Sequence, residues 1–361
     1  MENGTTQPGD RPKLLADRRS SLPYDAPELA EEIVSILHAE RINPVLVFGT
    51  QASGKTVMLQ SLFHYLKSND DTKISLSLGR TIWMEMHNAR NVIEESGRAF
   101  LDNGITAFDD GRLPAATSRL SPFFIPVDIK RDGVTTRYAF MEGMGEWFQR
   151  EGGTQAGGEQ HHPFRPFQEI LACVLRSFQH GISMIFVAPC IDGVQNNKKE
   201  YAHECLANAM SEVERIRIDK NRDNLLLLVN KWDAVCPPGE VAGRFSDATA
   251  ADVLDRIRDW RYVWAKFVSL QGFSPTARAV MPYSAGWIQP DRRIIRSTQY
   301  APIFARYNRT VWNWLYANAG VAFGGDVAQR RILYPDVLPK TVQPMGPFER
   351  LSRILTLNIR S

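Results

Sequence analysis

The sequence predicts a doubly wound α/β sheet, mostly parallel with one antiparallel hairpin and with helices on both faces. Three observations carry that expectation. Apolar runs of strand length alternate with longer segments whose apolar residues recur at helical spacing, which is the pattern of βαβ units. One such run, PVLVFG at Pro44–Gly49, leads through a glycine-bearing loop into TVMLQSLFHYLK, where Met58, Leu59, Leu62, Phe63 and Leu66 recur with helical period. A third segment, SPFFIPVDIKRDGVTTRYAFME, reads as two strands at about 123–129 and 136–142. They are joined at Arg131-Asp132-Gly133, whose Asp-Gly suits a tight antiparallel turn.

Taken in chain order, residues 1–22 are polar, rich in Pro and Gly and without periodicity, so they read as a mobile tail outside the fold. A helix is expected from about Pro27 to Glu40, introduced by Asp25, with the strand, loop and helix just described after it. The long stretch 69–121 reads as an insertion that contains a helical segment, IWMEMHNARNVIEESGRAFLDNG, and is placed to carry partner specificity. After the hairpin, the Gly-rich EGGTQAGGEQHH at 151–162 is expected to be flexible. Strands at about 183–187, 224–229 and 279–283 then alternate with helices near 164–179, 199–217, 251–270 and 301–319. The segment from Gly320 has Gly324-Gly325 and four prolines but no core pattern. The expected division is therefore a tail (1–22), one domain (23–319) with its insertion, and a C-terminal extension (320–361).

Composition narrows the class. With 361 residues, 43% of them apolar and 10% aromatic, the chain has ample material for a globular core. Lys and Arg number 43 against 40 Asp and Glu, a formal charge of +3, which gives no direct evidence for nucleic acid as a partner. Cys173, Cys190, Cys205 and Cys236 lack C-x-x-C spacing and read as reduced thiols rather than a zinc site or disulfide framework. No apolar run approaches the roughly 18 residues of a membrane span, and the polar N-terminus has no secretory core, so a cytoplasmic location is expected. Trp260 with Trp264 and Trp312 with Trp314 read first as core residues, with an interface as the second reading.

The chemistry concentrates in GTQASGKT, Gly49–Thr56. Glycines at Gly49 and Gly54 permit backbone turns closed to residues with a Cβ. The N–H groups of Gln51, Ala52, Ser53 and Gly54 can then converge on phosphate oxygens at a helix N-terminus. Lys55 supplies a point charge for β- and γ-phosphates, and the Thr56 hydroxyl is suited to a phosphate-bound Mg²⁺. The motif marks a P-loop NTPase sheet with a Walker A loop. Far downstream and in the matching order, NLLLLVNKWD closes a buried strand with Asn230, Lys231 and Asp233 at its carboxyl edge, where open α/β sheets bind ligands.

With both motifs present, the chain resembles a GTPase of the translation-factor and Ras-like (TRAFAC) class. The resemblance implies GTP and GDP as ligands, with Asp233 accepting from the guanine N1–H and exocyclic amine. Lys231 would lie along the base, and Asn230 would tie this loop to the P-loop. MPYSAG, ending at Gly286, resembles the last guanine motif, with the backbone of Ser284 and Ala285 near the base oxygen and Gly286 in place of the usual lysine. The long spacings and the Pro-rich approach to the first switch are also similar to bacterial double-GTPase proteins of conflict or defence systems. Only one P-loop occurs here, so a second GTPase would be a partner chain.

At the γ-phosphate end the family's Asp-x-x-Gly is replaced by EGMGE. Glu142 keeps the charge for Mg²⁺ with one added methylene, and Gly145 keeps an N–H for the γ-phosphate. Glu146 stands where relatives carry the water-orienting residue; it reads either as a base or as a solvated residue at a helix start. By the same resemblance the first switch threonine is Thr117, which would act in the catalytic set with Lys55, Gly145 and Glu146 and in the metal set with Thr56 and Glu142. Arg112 and Arg119 flank it as candidate arginine fingers, against the plainer reading of solvated loop residues. His161 and His162 stand in the same position: a second-switch role, or an exposed pair.

Three functions follow. The first is a GTP-hydrolysing molecular switch, slow without a partner, whose Mg²⁺- and γ-phosphate-ordered loops control binding of an effector or regulatory protein, a second GTPase subunit or a second copy. The second is a GTP-dependent scaffold with little hydrolysis, distinguished by turnover. The third is a P-loop ATPase or kinase, which would require the Asn230–Asp233 motif to be accidental and is distinguished by nucleotide preference.

Overall fold

The computed structural model describes residues 27–50, 52–69, 72–75, 100–113, 124–142, 165–190, 196–234, 257, 260, 262–288, 293–295 and 301–322. Helix α1 (Pro27–Ala39) leads into β1 (Asn43–Phe48), and α2 (Lys55–Ser68) into β2 (Thr72–Ser75). Residues 100–109 are helical (α3), followed by β3 (Phe124–Arg131), β4 (Val134–Glu142) and α4 (Arg165–Ser177). Then come β5 (Ser183–Pro189), α5 (Asn196–Ile216), β6 (Asn224–Asn230), α6 (Val263–Ser269) and β7 (Arg278–Tyr283). A short pair, β8 (Trp287–Ile288) and β9 (Ile294–Ile295), precedes α7 (Ala301–Ala322).

Seven strands form one sheet in the order β2-β3-β4-β1-β5-β6-β7. β1 lies parallel between β4 and β5, and β6 and β7 continue the parallel half. β1, β5, β6 and β7 are buried at every position, which explains their unbroken apolar runs: strands covered on both faces lose the alternation of a half-exposed strand. The β3–β4 hairpin turns on two residues, Asp132 and Gly133, with φ of 51° and 80°, the paired left-handed geometry that Asp-Gly tolerates. The α/β class is as expected, with one addition. β2 lies inside the stretch read as an insertion, yet pairs antiparallel with β3 at the sheet edge; four residues, TKIS, are too short to show a period.

Packing against the sheet is set by alternation along β4. Phe140 meets Phe63 of α2 edge-on at 5.1 Å, and Tyr138, two residues earlier on the same face, meets Trp312 of α7 at 5.8 Å. α2 and α7 therefore share one layer, while α1 packs on α4, and α5 on α4 and α6. Trp260, Trp312 and Trp314 are buried in the core and Trp264 packs against it, which is the first of their two sequence readings. Cys173, Cys190 and Cys205 are free thiols; Cys236 lies outside the described residues. The tail and most of the C-terminal extension also lie outside them, and α7 runs to Ala322, past the expected boundary at 319.

The amino edge of the sheet is closed by a buried ion pair. Arg217, after α5, donates Nε–H to Oδ2 of Asp223 at 2.8 Å and Nη2–H to its Oδ1 at 2.9 Å. Its remaining N–H groups reach the carbonyls of Leu175, Phe178 and His180 at 3.1, 2.5 and 2.7 Å. Asp223 also accepts from Ile182 N–H at 2.9 Å, locking the entrances of β5 and β6 together.

Candidate functional site

The opposite, carboxyl edge is built differently. β1 ends at Phe48, and the chain turns through residues 49–54 into α2. A Cβ at Gly49 would lie 2.6 Å from Ser53 Oγ and 3.0 Å from the Val187 carbonyl of β5, so only glycine fits this close approach. Gly54 caps α2 with φ +90°, and a Cβ there would sit 2.4 Å from Asn230 Nδ2. Ala52 has φ 61°, a left-handed conformation that costs a residue with a Cβ about 1–2 kcal/mol. α2 has neither a side-chain cap nor an acidic residue in its first turn, so its N-terminal amides and dipole present an anion-binding face.

Within this loop the hydroxyls of Thr50 and Ser53 are buried without a hydrogen-bond partner. Lys55 is 6% exposed and donates to the carbonyls of Gly49 at 2.7 Å and Thr50 at 3.0 Å. Thr56 donates its hydroxyl to Glu142 Oε1 at 2.6 Å. Glu142 is the last residue of β4, in register with Val47 of β1, which is how a residue 86 positions away reaches the loop. Burial raises its carboxyl above the ordinary carboxylate value; the Lys55 charge and the Thr56 hydrogen bond oppose that.

A second loop meets the first. β6 ends at Asn230, whose Nδ2 donates to the Ser53 carbonyl at 2.7 Å while its Oδ1 accepts from Lys231 N–H at 2.8 Å. Lys231 has φ 60°, turning the chain into the short 3-10 segment Trp232–Ala234 that holds Asp233. Ser284, just after β7, donates to Asp233 Oδ1 at 2.8 Å and accepts from Gly286 N–H at 3.2 Å. Ala285, beside it, is buried. Burial raises the Asp233 carboxyl, against the Ser284 hydrogen bond and the Lys231 charge. Burial lowers the Lys231 ammonium, against Asp233. The carboxyl edge thus gathers a phosphate-type cradle, a threonine–carboxylate pair suited to a hard cation, and a buried carboxylate acceptor.

Of the residues singled out from the sequence, Gly49, Ala52, Ser53, Gly54, Lys55, Thr56, Glu142, Asn230, Lys231, Asp233, Ser284 and Ala285 fall at this edge. Gln51, Thr117, Arg119, Gly145, Glu146, His161 and His162 lie outside the described residues. Arg112 forms an isolated antiparallel bridge with Arg293, beside β9. Sequence reading passed over Tyr283. Its hydroxyl lies 3.3 Å from the Met58 carbonyl and donates to Asn308 Oδ1 at 2.7 Å, tying α2 to β7 and α7. A tyrosine in an apolar strand gives no sign of that role.

No family model and no curated protein matches this chain. Solved structures similar to it include the S. cerevisiae Ski7 GTPase-like domain, once bound to GDP and inorganic phosphate and once bound to GTP. Each is 14% identical with a TM-score of 0.31, over 74% of this chain and 50% of the other. The chain thus spans half the length of the structures it matches, and the site is read from its own geometry.

Proposed function

We propose that this protein binds GTP with Mg²⁺ and hydrolyses it slowly, as a cytoplasmic molecular switch whose nucleotide state governs binding of an effector, a regulatory protein or a second GTPase subunit. The observation that carries the reading is the bond from Asn230 Nδ2 to the Ser53 carbonyl. It joins the phosphate loop to the loop of Asp233, so that one ligand with an anionic end and a hydrogen-bonding base would span both. Asp233, already oriented by Ser284, would accept from the two adjacent donors on the guanine edge, a pair that adenine lacks; ATP would leave the buried carboxylate unpaired. Thr56 and Glu142 would be oxygen donors for Mg²⁺, which would neutralise charge on the phosphates. Lys55 would exchange its loop carbonyls for phosphate oxygens, and the buried hydroxyls of Thr50 and Ser53 fit a polar ligand. Thr117 and Gly145 would order around the γ-phosphate, with Glu146 at the attacking water.

One observation favours a second reading, a GTP-dependent scaffold with little hydrolysis. Glu142 bonds Thr56 directly and is desolvated, so the pair is partly self-satisfied and gives up energy to release its oxygens to a cation. Phosphate release from GTP and ATP, with nucleotide binding recorded alongside and Lys55→Ala as control, decides the matter. GTP-selective turnover lost in Lys55→Ala supports the switch; tight GTP binding without turnover supports the scaffold. ATP turnover with no GTP preference overturns both.

A further inference from the structure

A cleft of about 330 Å³ lies between the C-terminal half of α2 and the first turns of α7. His64, Tyr65 and Asn69 line one wall, and Phe304, Asn308 and Arg309 the other. It is distinct from the nucleotide site, for α2 has 14 residues and the cleft lies at the end away from the cradle, roughly 15–20 Å along the axis. We propose that this cleft is a second ligand site, for a small molecule with an aromatic or apolar body and one anionic group, a carboxylate or phosphate.

Two features shape this half-open cleft. Its floor is fixed: Asn308, 3% exposed, accepts from Tyr283 at 2.7 Å and donates to Ser61 Oγ at 3.1 Å and the Phe304 carbonyl at 3.3 Å. This satisfied buried network sets the spacing of α2 and α7 before any ligand arrives, so little ordering entropy would be lost on binding. Its volume also falls in the range of small-molecule pockets, and half-buried Tyr65 with buried Phe304 gives its lining an apolar part.

The polar groups decide the sign of the ligand. The Tyr65 hydroxyl accepts twice, from Asn69 Nδ2 at 3.2 Å and from Arg309 Nε at 3.3 Å, so its own O–H points elsewhere as a donor. The bond through Nε orients the Arg309 guanidinium on the cleft wall and leaves its terminal amines, a planar pair of donors matched to a carboxylate or phosphate. His64 is engaged by Asp109 at 2.9 Å, so its Nε2 is already committed. The C-terminal end of α2 and the N-terminal end of α7 meet here with opposite partial charges, which offset one another. Arg309 is therefore the group that selects an anion, with Tyr65 as its neutral co-donor.

Phenyl phosphate and benzoate serve as probes, with benzyl alcohol as the uncharged control, titrated by calorimetry into the full chain saturated with GDP and Mg²⁺ so that the cradle is filled. The proposal expects saturable binding of at least one anion and none of the alcohol. Arg309→Gln should weaken it at least tenfold and Tyr65→Phe a few-fold, with thermal unfolding unchanged in both. Phosphate and carboxylate classes are told apart by which probe binds more tightly. Binding should persist in Lys55→Ala, so a failed nucleotide reading would leave this result intact. Absence of saturable binding by both anions, equal binding of the alcohol, or binding undiminished in Arg309→Gln would each overturn it.

Discussion

The two edges of the sheet each bury a cation beside a carboxylate, and they resolve it in opposite ways. At the amino edge Arg217 and Asp223 are both 0% exposed, and each of the five guanidinium N–H groups has an acceptor. At the carboxyl edge Lys55 rests on loop carbonyls, Glu142 is bonded to a threonine, and the hydroxyls of Thr50 and Ser53 have no partner. Complete satisfaction marks a group whose work is structural; leaving one there unpaired would cost several kcal/mol for nothing. Single unpartnered atoms also occur at the amino edge, at Asn43, Asn224 and Arg278, so incomplete satisfaction points to a ligand at the carboxyl edge only where it coincides with the Gly49–Gly54 loop and the uncapped start of α2. Burial and charge are shared, so the two cations are told apart by the acceptors around each and by the loop beside Lys55.

The comparison breaks most visibly at Arg217. Arg217→Ala leaves Asp223 buried and unpaired and should cost about 3–5 kcal/mol of stability in denaturant unfolding. The folded fraction should bind GTP with unchanged affinity. Loss of affinity without loss of stability would reverse the assignment of the two edges. Next in size is Asp233→Asn, which should weaken GTP by roughly 100-fold, since two charge-assisted hydrogen bonds are lost. The same variant should improve binding of xanthosine triphosphate, whose base carries a carbonyl where guanine carries the amine, matching the donor of the new amide. Competition binding with both nucleotides reads this directly; equal loss for both would place Asp233 outside the base site.

Asn230→Ala tests the tie between loops. It removes the bond to Ser53 and should lower nucleotide affinity about tenfold, with about 1 kcal/mol lost in stability, because an interior Asn–carbonyl bond contributes near that value. A nucleotide titration that matches the unaltered protein would sever the two loops as one site. The smallest effect is in pH dependence. Burial holds the Asp233 carboxyl above its ordinary 3.8, so the folded chain takes up that proton more readily than the unfolded one. That contribution to stability is complete below pH 3.8 and is lost as pH rises through the folded value. Asp233→Asn should flatten this part of the nucleotide-free stability profile, and an unchanged slope would mean that the carboxyl is solvated.

What the sequence disclosed follows the range of the interactions involved. The hairpin was legible because Asp132 and Gly133 answer a local demand for left-handed backbone, and the buried strands because each is a continuous apolar run. The glycine loop was legible for the same reason, since Gly49 and Gly54 are dictated by contacts that any Cβ would violate. The Asn230–Ser53 bond was expected only through resemblance, as its partners are 177 residues apart. Arg217 was hidden because its meaning depends on carbonyls 37 to 42 residues away. The α2–α7 cleft was hidden too, since its walls meet only after the sheet has formed. β2 was missed for want of length.

The Asn230 tie also sets a clock. A ribosome adding roughly 5–20 residues per second needs about 10–35 s to travel from Ser53 to the residue that steadies it. For that interval the nascent Gly49–Gly54 loop exists without its brace, and on the proposed reading nucleotide capture would wait on the strand that ends at Asn230.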